Sequence, residues 1–260
     1  MIKRKKEIRQ VFELIKNSDL ILEVLDSRIP YLTRVSSIEK EVKKQNIPLI
    51  LVLNKCDLIP RQISEKTKQK FNREFSTYYV SSKERQGTKL LRNTISRFLK
   101  KEKENILSVV GVPNTGKSSL LNILRGKHVA VTGQKPGITR SPQLIRISKR
   151  ILTYDTPGVI PFDYPEEDLQ VFLGAHSIDN LDDPIGTANF FINRIRENYS
   201  TGFVSYYGIS SINLSNEEIL NQIATLRGMK SKGGLLNLSE TAKLIMREFT
   251  AGKIQYWEEV

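Results

Sequence analysis

The sequence predicts an α/β protein: a mainly parallel sheet covered by helices over residues 1–165, then a small α-helical domain over residues 166–260. Three observations carry that expectation. Apolar runs alternate with helix-compatible stretches through the first 160 residues, the rhythm of parallel strands joined by crossover helices. The candidate binding motifs stand at the carboxyl ends of such runs, where open α/β sheets hold their ligands. After Pro161 the strand rhythm stops, and residues 161–183 contain seven acids and no Lys or Arg.

Strands are expected at Leu20–Leu25, Leu49–Leu53, Thr77–Val80, Ile106–Val110, Leu144–Ile147 and Ile151–Tyr154. Short apolar runs of this kind suit strands with both faces covered. Helix-compatible spacing covers residues 4–17, 34–45, 63–74, 87–101 and 117–125, and in the first of these Val11, Phe12, Leu14 and Ile15 form an amphipathic stripe. LKKEKEN, residues 99–105, is a charged connector into the fourth strand. In the second domain Phe190–Ile195, Ile219–Leu226 and Thr241–Phe249 read as helices, and Gly233-Gly234 marks a turn.

Hydrophobic residues make up 39% and charged residues 27%, which is ordinary for a soluble globular chain. The single cysteine, Cys56, rules out an internal disulfide and a multi-cysteine metal cluster, and points to a reducing cytoplasm. MIKRKK at the start is charged like a signal peptide, but no apolar segment follows it. No run of about 18 apolar residues exists, so no membrane span is expected. The net charge of +13 is unevenly spread: residues 1–104 carry 25 Lys and Arg against 13 acids, residues 105–160 carry 8 against 1, and residues 161–260 carry 8 against 14. Such an excess reads either as a solvated surface or as a nucleic-acid-binding face.

Gly111-Val112-Pro113-Asn114-Thr115-Gly116-Lys117-Ser118 matches G-x-x-x-x-G-K-[ST], followed by Ser119, between a strand and a helix. Glycines let backbone N–H groups surround phosphate oxygens, Lys117 adds a cation for the β/γ-phosphates, and Ser118 offers a hydroxyl to Mg²⁺. Asp155-Thr-Pro-Gly158 fits D-x-x-G, with Asp155 toward Mg²⁺ and the Gly158 amide toward the γ-phosphate. Between them GQKPGITRSP has the composition of a switch loop, and Thr139 is its best candidate for completing Mg²⁺ coordination. An ordinary surface loop is the bland alternative.

Asn54-Lys55-Cys56-Asp57 ends the second apolar run. Asp57 suits the guanine N1–H and 2-amino group, and a buried carboxylate left unpaired by adenine explains how such a site rejects ATP. Asn54 fixes the loop, the stem of Lys55 lies along the ring, and Cys56 reads as a small buried filler. Ser81-Ser82-Lys83, after the third run, resembles the element that supports guanine O6. These base elements precede the phosphate elements, the reverse of the usual order in GTP-binding domains. A P-loop ATPase or nucleotide kinase is disfavoured by NKCD, and His128 and His176 fit no catalytic or metal pattern.

With this rotated order, the chain resembles the circularly permuted GTPases of the YlqF/YawG (RbgA-like) group. VLDSRIP at residues 24–30 resembles the group's D-A-R-x-P signature with Ser27 in place of Ala; GVPNTGKSSLLN and KPGITR are similar to its phosphate-loop and switch segments, and GGLLNLSETAKLIMREFTAGKI resembles its C-terminal helical tail. The resemblance covers nearly the whole chain. It implies a cytoplasmic, monomeric, compact prokaryotic GTPase that binds GTP or GDP with Mg²⁺ and K⁺. Its implied role is assembly of the large ribosomal subunit, meeting precursor particles and rRNA rather than DNA or a membrane.

Val159 and Ile160 follow D-x-x-G where Ras-like enzymes place a water-orienting glutamine, so slow intrinsic turnover, stimulated by the particle, is expected. Asn114 resembles the residue that holds K⁺ in potassium-activated relatives; a loop-shaping role is its alternative. A GTP-dependent RNA-binding chaperone with negligible catalysis remains the second functional reading. The resemblance implies RNA or ribosome contact by the domain at 166–260, where only residues 227–253 are locally basic. Because residues 161–260 are net acidic, much of the RNA affinity is expected from the first domain, including Lys3, Arg4, Lys5 and Lys6.

Overall fold

The structure is a computed structural model and describes residues 10–100, 102–125, 143–155 and 166–259, with Gln143 and Asp155 described by backbone alone. It divides into two compact units, Met1–Phe162 and Asp163–Val260, three residues earlier than the boundary expected from composition.

The first unit holds six strands: β1 (Leu20–Asp26), β2 (Leu49–Asn54), β3 (Ser76–Tyr79), β4 (Asn105–Val110), β5 (Gln143–Ser148) and β6 (Ile151–Asp155). Every expected strand is present, with no end moved by more than one residue. Their order across the sheet is β3-β2-β1-β4-β6-β5. All neighbours run parallel except the edge strand β5, which pairs antiparallel with β6. The sheet therefore consists of two halves, β1–β3 and β4–β6, each contiguous in sequence. They meet along β1 and β4, where Leu20 faces Leu107 and Glu23 faces Val110. Strand pairing depends on neighbours and not on chain order, so exchanging the halves in sequence leaves every pair intact.

The connector that joins the halves is pinned by side chains. Asn105 exchanges hydrogen bonds with the backbone of Lys100 and donates to the Lys103 carbonyl. Asp19 accepts from Lys103 Nζ at 2.7 Å and from the Ile106 N–H at 2.9 Å.

Helices cover both sheet faces, as the apolar strands require. Leu20, Leu22, Val24, Ile50, Val52, Leu107 and Val109 pack on one face against α5 (Thr88–Phe98) and α6 (Lys117–Arg125). Ile21, Leu25, Leu49, Leu51 and Leu53 pack on the other against the helix at residues 10–16 (α1), α3 (Ser36–Lys44) and α4 (Arg61–Phe71). A short helix, α2 (Pro30–Thr33), precedes α3. Glu23 interrupts the apolar pattern of β1: it is fully buried and accepts the Val35 N–H at the start of α3, at 2.7 Å. Burial, with the charge of Glu39 adding to it, pushes its carboxyl up to about 8.

The second unit is helical: α7 (Glu167–Phe172), α8 (Pro184–Glu197), α9 (Thr201–Tyr207), α10 (Asn216–Leu226) and α11 (Leu238–Thr250). Phe172, Phe191, Phe249 and Tyr256 build its centre, with ring centroids 4.7–6.1 Å apart. Caps set the helix starts. The Asp183 side chain accepts from Gly186 ahead of α8, Ser215 and Glu218 form a capping box on α10, and Asn237 caps α11. The expected Gly233-Gly234 turn forms, with φ of 101° and 83° between the bridged Lys230 and Leu236.

Candidate nucleotide-binding site

The P-loop leaves β4 at Gly111, where φ is 144° and a Cβ would fall 2.4 Å from the Val24 carbonyl oxygen of β1. Only glycine fits so close to a neighbouring strand. Asn114 then takes a left-handed turn, φ 58°, and Thr115 Oγ1 donates back to the Val112 carbonyl at 2.9 Å. Val112 and Thr115 are buried, Pro113 and Gly116 half-buried, and Asn114, Ser118 and Ser119 exposed. Lys117 begins α6, whose first free N–H groups favour anions. Its Nζ donates to the Val112 carbonyl at 2.7 Å, and burial pulls its ammonium down to about 8.

The base loop leaves β2 through Asn54. Lys55 adopts a left-handed conformation, φ 63°, and Cys56–Leu58 form one turn of 3-10 helix. The Cys56 N–H reaches the Val80 carbonyl, tying the turn to the end of β3. Cys56 takes the inward position, as expected, and burial pushes its thiol up to about 11, so it stays unreactive at neutral pH. Asp57 is exposed, because the inward place in that tight turn belongs to Cys56.

The third loop, residues 81–87, closes on itself through a Ser81–Gln86 bridge. Ser81 Oγ accepts the Glu84 N–H at 2.9 Å, and Lys83 projects outward, 3.9 Å from Glu84. Ser82 Oγ is buried without a hydrogen-bond partner among the described residues.

Asn54 joins these loops. Its Nδ2 donates to the Thr115 carbonyl of the P-loop at 2.7 Å, and its Oδ1 accepts the Ser82 N–H at 3.0 Å. The side chain is almost wholly buried, 2% exposed. A Cβ on Gly116, whose φ is 94°, would sit 2.2 Å from the same Nδ2. One amide thus fixes the base loop, the serine loop and the phosphate loop against each other, although its partners lie 61 and 28 positions away.

A second cluster was not foreseen. Asp26, at the end of β1, accepts from the Arg28 N–H at 3.0 Å, from Arg28 Nε at 3.1 Å and Nη2 at 2.8 Å, and from Lys55 Nζ at 2.8 Å. Burial alone would raise its carboxyl, but the charges of Arg28 and Lys55 hold it well below the usual range. The sequence signal was present in DSRIP: an acid ending a buried strand with an arginine two residues later.

β6 ends at Asp155 beside β4, the strand that feeds the P-loop. The Asp155 side chain, Thr139, Gly158, Val159, Ile160, His128 and Lys3 to Lys6 lie outside the described residues. His176 lies in the second unit with Nε2 3.4 Å from Glu167.

Comparison with known proteins agrees with this geometry. A family model described as 50S ribosome-binding GTPase matches residues 106–185. An uncharacterized GTP-binding protein of Methanocaldococcus jannaschii is 40% identical over 250 residues, covering 95% of this chain and 66% of that protein. Ribosome biogenesis GTPase A of Bacillus pumilus is 29% identical over 262 residues, covering 94% and 91%. The crystal structure of GNP-bound YlqF from T. maritima superposes with a TM-score of 0.69 at 25% identity, covering 96% of each chain. The chain therefore spans just under two thirds of the methanogen protein and nearly all of the bacterial ones. With its rotated motif order and its two-half sheet, the chain is similar over nearly its whole length to the YlqF/RbgA-like GTPases.

Proposed function

We propose that the chain binds GTP, hydrolyses it to GDP and phosphate, and acts as a switch in assembly of the large ribosomal subunit. The observation that carries the reading is the Asn54 cross-link, which holds the NKCD loop and the P-loop in one site. Asp57, at the open rim, takes the guanine edge, with Ser81, Ser82 and Lys83 beside it. The P-loop from Val112 to Ser119 takes the phosphates.

The donor set available for a metal is all oxygen, the Ser118 hydroxyl and the Asp155 carboxylate, joined by Thr139 in the switch loop. Such a set suits Mg²⁺, which keeps most of its water and binds with phosphate oxygens. When bound, the ion supplies positive charge at the β/γ-phosphates. Lys117 supplies the protein's own charge there, and the Gly158 amide is assigned to the γ-phosphate. Phosphoryl transfer needs positioning and charge more than covalent help. Val159 offers no hydrogen bond to an attacking water, so turnover is slow until a ribosomal particle stimulates it. Asn114, in its left-handed turn, is assigned to K⁺.

The names of the bacterial relatives and of the matched family support a ribosomal partner. The basic first unit fits the phosphate backbone of rRNA, and the protein acts as a cytoplasmic monomer. The binding-only chaperone is the less favoured reading, because the similar proteins are named as GTPases. Co-sedimentation with large-subunit precursors tests the switch: binding should be tight with a GTP analogue and weak with GDP, and equal binding would refute it. Phosphate release measured with and without particles, in K⁺ and in Na⁺, tests the catalytic half.

A further inference from the structure

We infer that Asp26 is a positioning residue for the nucleotide base, acting through Lys55, and that this is the task of the DSRIP segment. The inference deepens the guanine-nucleotide reading above and rests on it.

Parallel pairing sets Asp26 opposite Asn54, the residue before Lys55. The carboxylate therefore lies one position short of the base loop, and Lys55 turns back to it at 2.8 Å. Lys55 pays for this with a left-handed backbone, φ 63°, which costs a non-glycine residue about 1–2 kcal/mol. Such strain persists where the surroundings fix it, and it collects at ligand clamps. A free lysine also has about 2 kcal/mol of rotamer entropy to lose on being ordered. An anchored ammonium has lost much of that before any ligand arrives, which favours binding through preorganisation.

Arg28 keeps the anchor in place. Its guanidinium and its backbone N–H together engage both oxygens of Asp26, whose side chain is 4% exposed against 23% for that of Lys55. The anion is thus buried and rigid, and the lysine stem runs to it from the same turn that carries Asp57 two positions on. A buried ion pair contributes little net stability by itself, so its placement beside the base loop is the informative feature. Asp26 orients the stem that lies along the base; Asp57 reads the base edge.

The test is GDP titration of the wild type, Asp26→Asn, Lys55→Ala and the double variant, with inorganic pyrophosphate as a second ligand. Loss of one hydrogen bond to a charged group should weaken GDP about tenfold to a hundredfold in each single variant. The double variant should be no weaker than Lys55→Ala, because Asp26 acts only through that residue. Pyrophosphate, which has no base, should bind all four proteins equally. Losses that multiply in the double variant, or a parallel loss of pyrophosphate binding, would show a merely structural pair and overturn the inference. Lys55→Met keeps the stem and removes the anchor, so it should bind GDP as poorly as Lys55→Ala. Wild-type affinity in that variant would also overturn it, even if Asp26→Asn does not fold. Absence of GDP binding by the wild type would instead overturn the nucleotide reading itself.

Discussion

The two units use buried polar groups in opposite ways. In the first, Asn54 and Asp26 sit at strand ends and bind loops far apart in sequence, so their hydrogen bonds shape a site. In the second, Glu248 sits within α11 and receives the hydroxyls of Tyr206 and Tyr207, each at 2.9 Å, with Lys253 at 3.6 Å. That network holds α9 to α11. Where a buried polar group lies, and not its burial alone, distinguishes a binding device from a structural one.

Gly116→Ala attacks the contrast at its most sensitive point. The new Cβ collides with Asn54 Nδ2 at a backbone angle that suits glycine, so GDP affinity should fall by more than about a hundredfold. Fluorescent GDP titration measures this, and helix content by circular dichroism should stay unchanged. Phe249→Ala makes the reciprocal change. Emptying the aromatic centre should cost about 3–5 kcal/mol in urea unfolding of the second unit, with GDP affinity unmoved. If either variant damaged both properties alike, the division of labour between the units would be lost.

Glu23 sharpens the contrast from within the first unit, since it is buried at mid-strand and serves no loop motif. Between its ordinary 4.5 and about 8, it is neutral in the fold and ionised in the unfolded chain. Its contribution to stability is therefore complete below about 4.5 and is lost as pH rises toward 8. Glu23→Gln should match the wild type near pH 4.5 and exceed it by about 1–3 kcal/mol at pH 8, read from melting curves at several pH values. The smallest expected effect belongs to Lys117. Phosphate should raise its proton affinity above the present value of about 8, so GDP binding should take up protons. Affinity should hold steady below pH 8 and fall by up to about tenfold per pH unit above it, which calorimetry in buffers of different ionisation heat can detect.

Much of the first unit was legible in the sequence because its strands are apolar on both faces, which leaves little else for runs such as LILVLN to be. The P-loop and NKCD were legible because their glycines, lysines and acids have few alternative uses at those spacings. Long-range consequences were not legible. No local pattern shows that Asn54 reaches Thr115, or that the acid of DSRIP holds Lys55. Asp57 illustrates the same limit, since which residue of a 3-10 turn faces inward depends on β3 beside it. In the second unit α9 escaped because TGFVSYY is rich in aromatic and β-branched residues that read as strand. Packing decides for helix there, with Gly202 pressed against Gln255, its missing Cβ 2.3 Å from a backbone oxygen, and Gly208 ending it at φ 71°. Helix α8 was seen only in part, since Asp183-Pro184 extends it toward its start.

The most direct test is competition calorimetry on the whole chain with GDP, ADP and pyrophosphate. If the loops joined by Asn54 form one guanine-nucleotide site, GDP binds with one-to-one stoichiometry, pyrophosphate competes with it, and ADP at about a hundredfold excess does not displace it. Displacement of GDP by ADP at equal concentration, or simultaneous binding of GDP and pyrophosphate, would contradict the account.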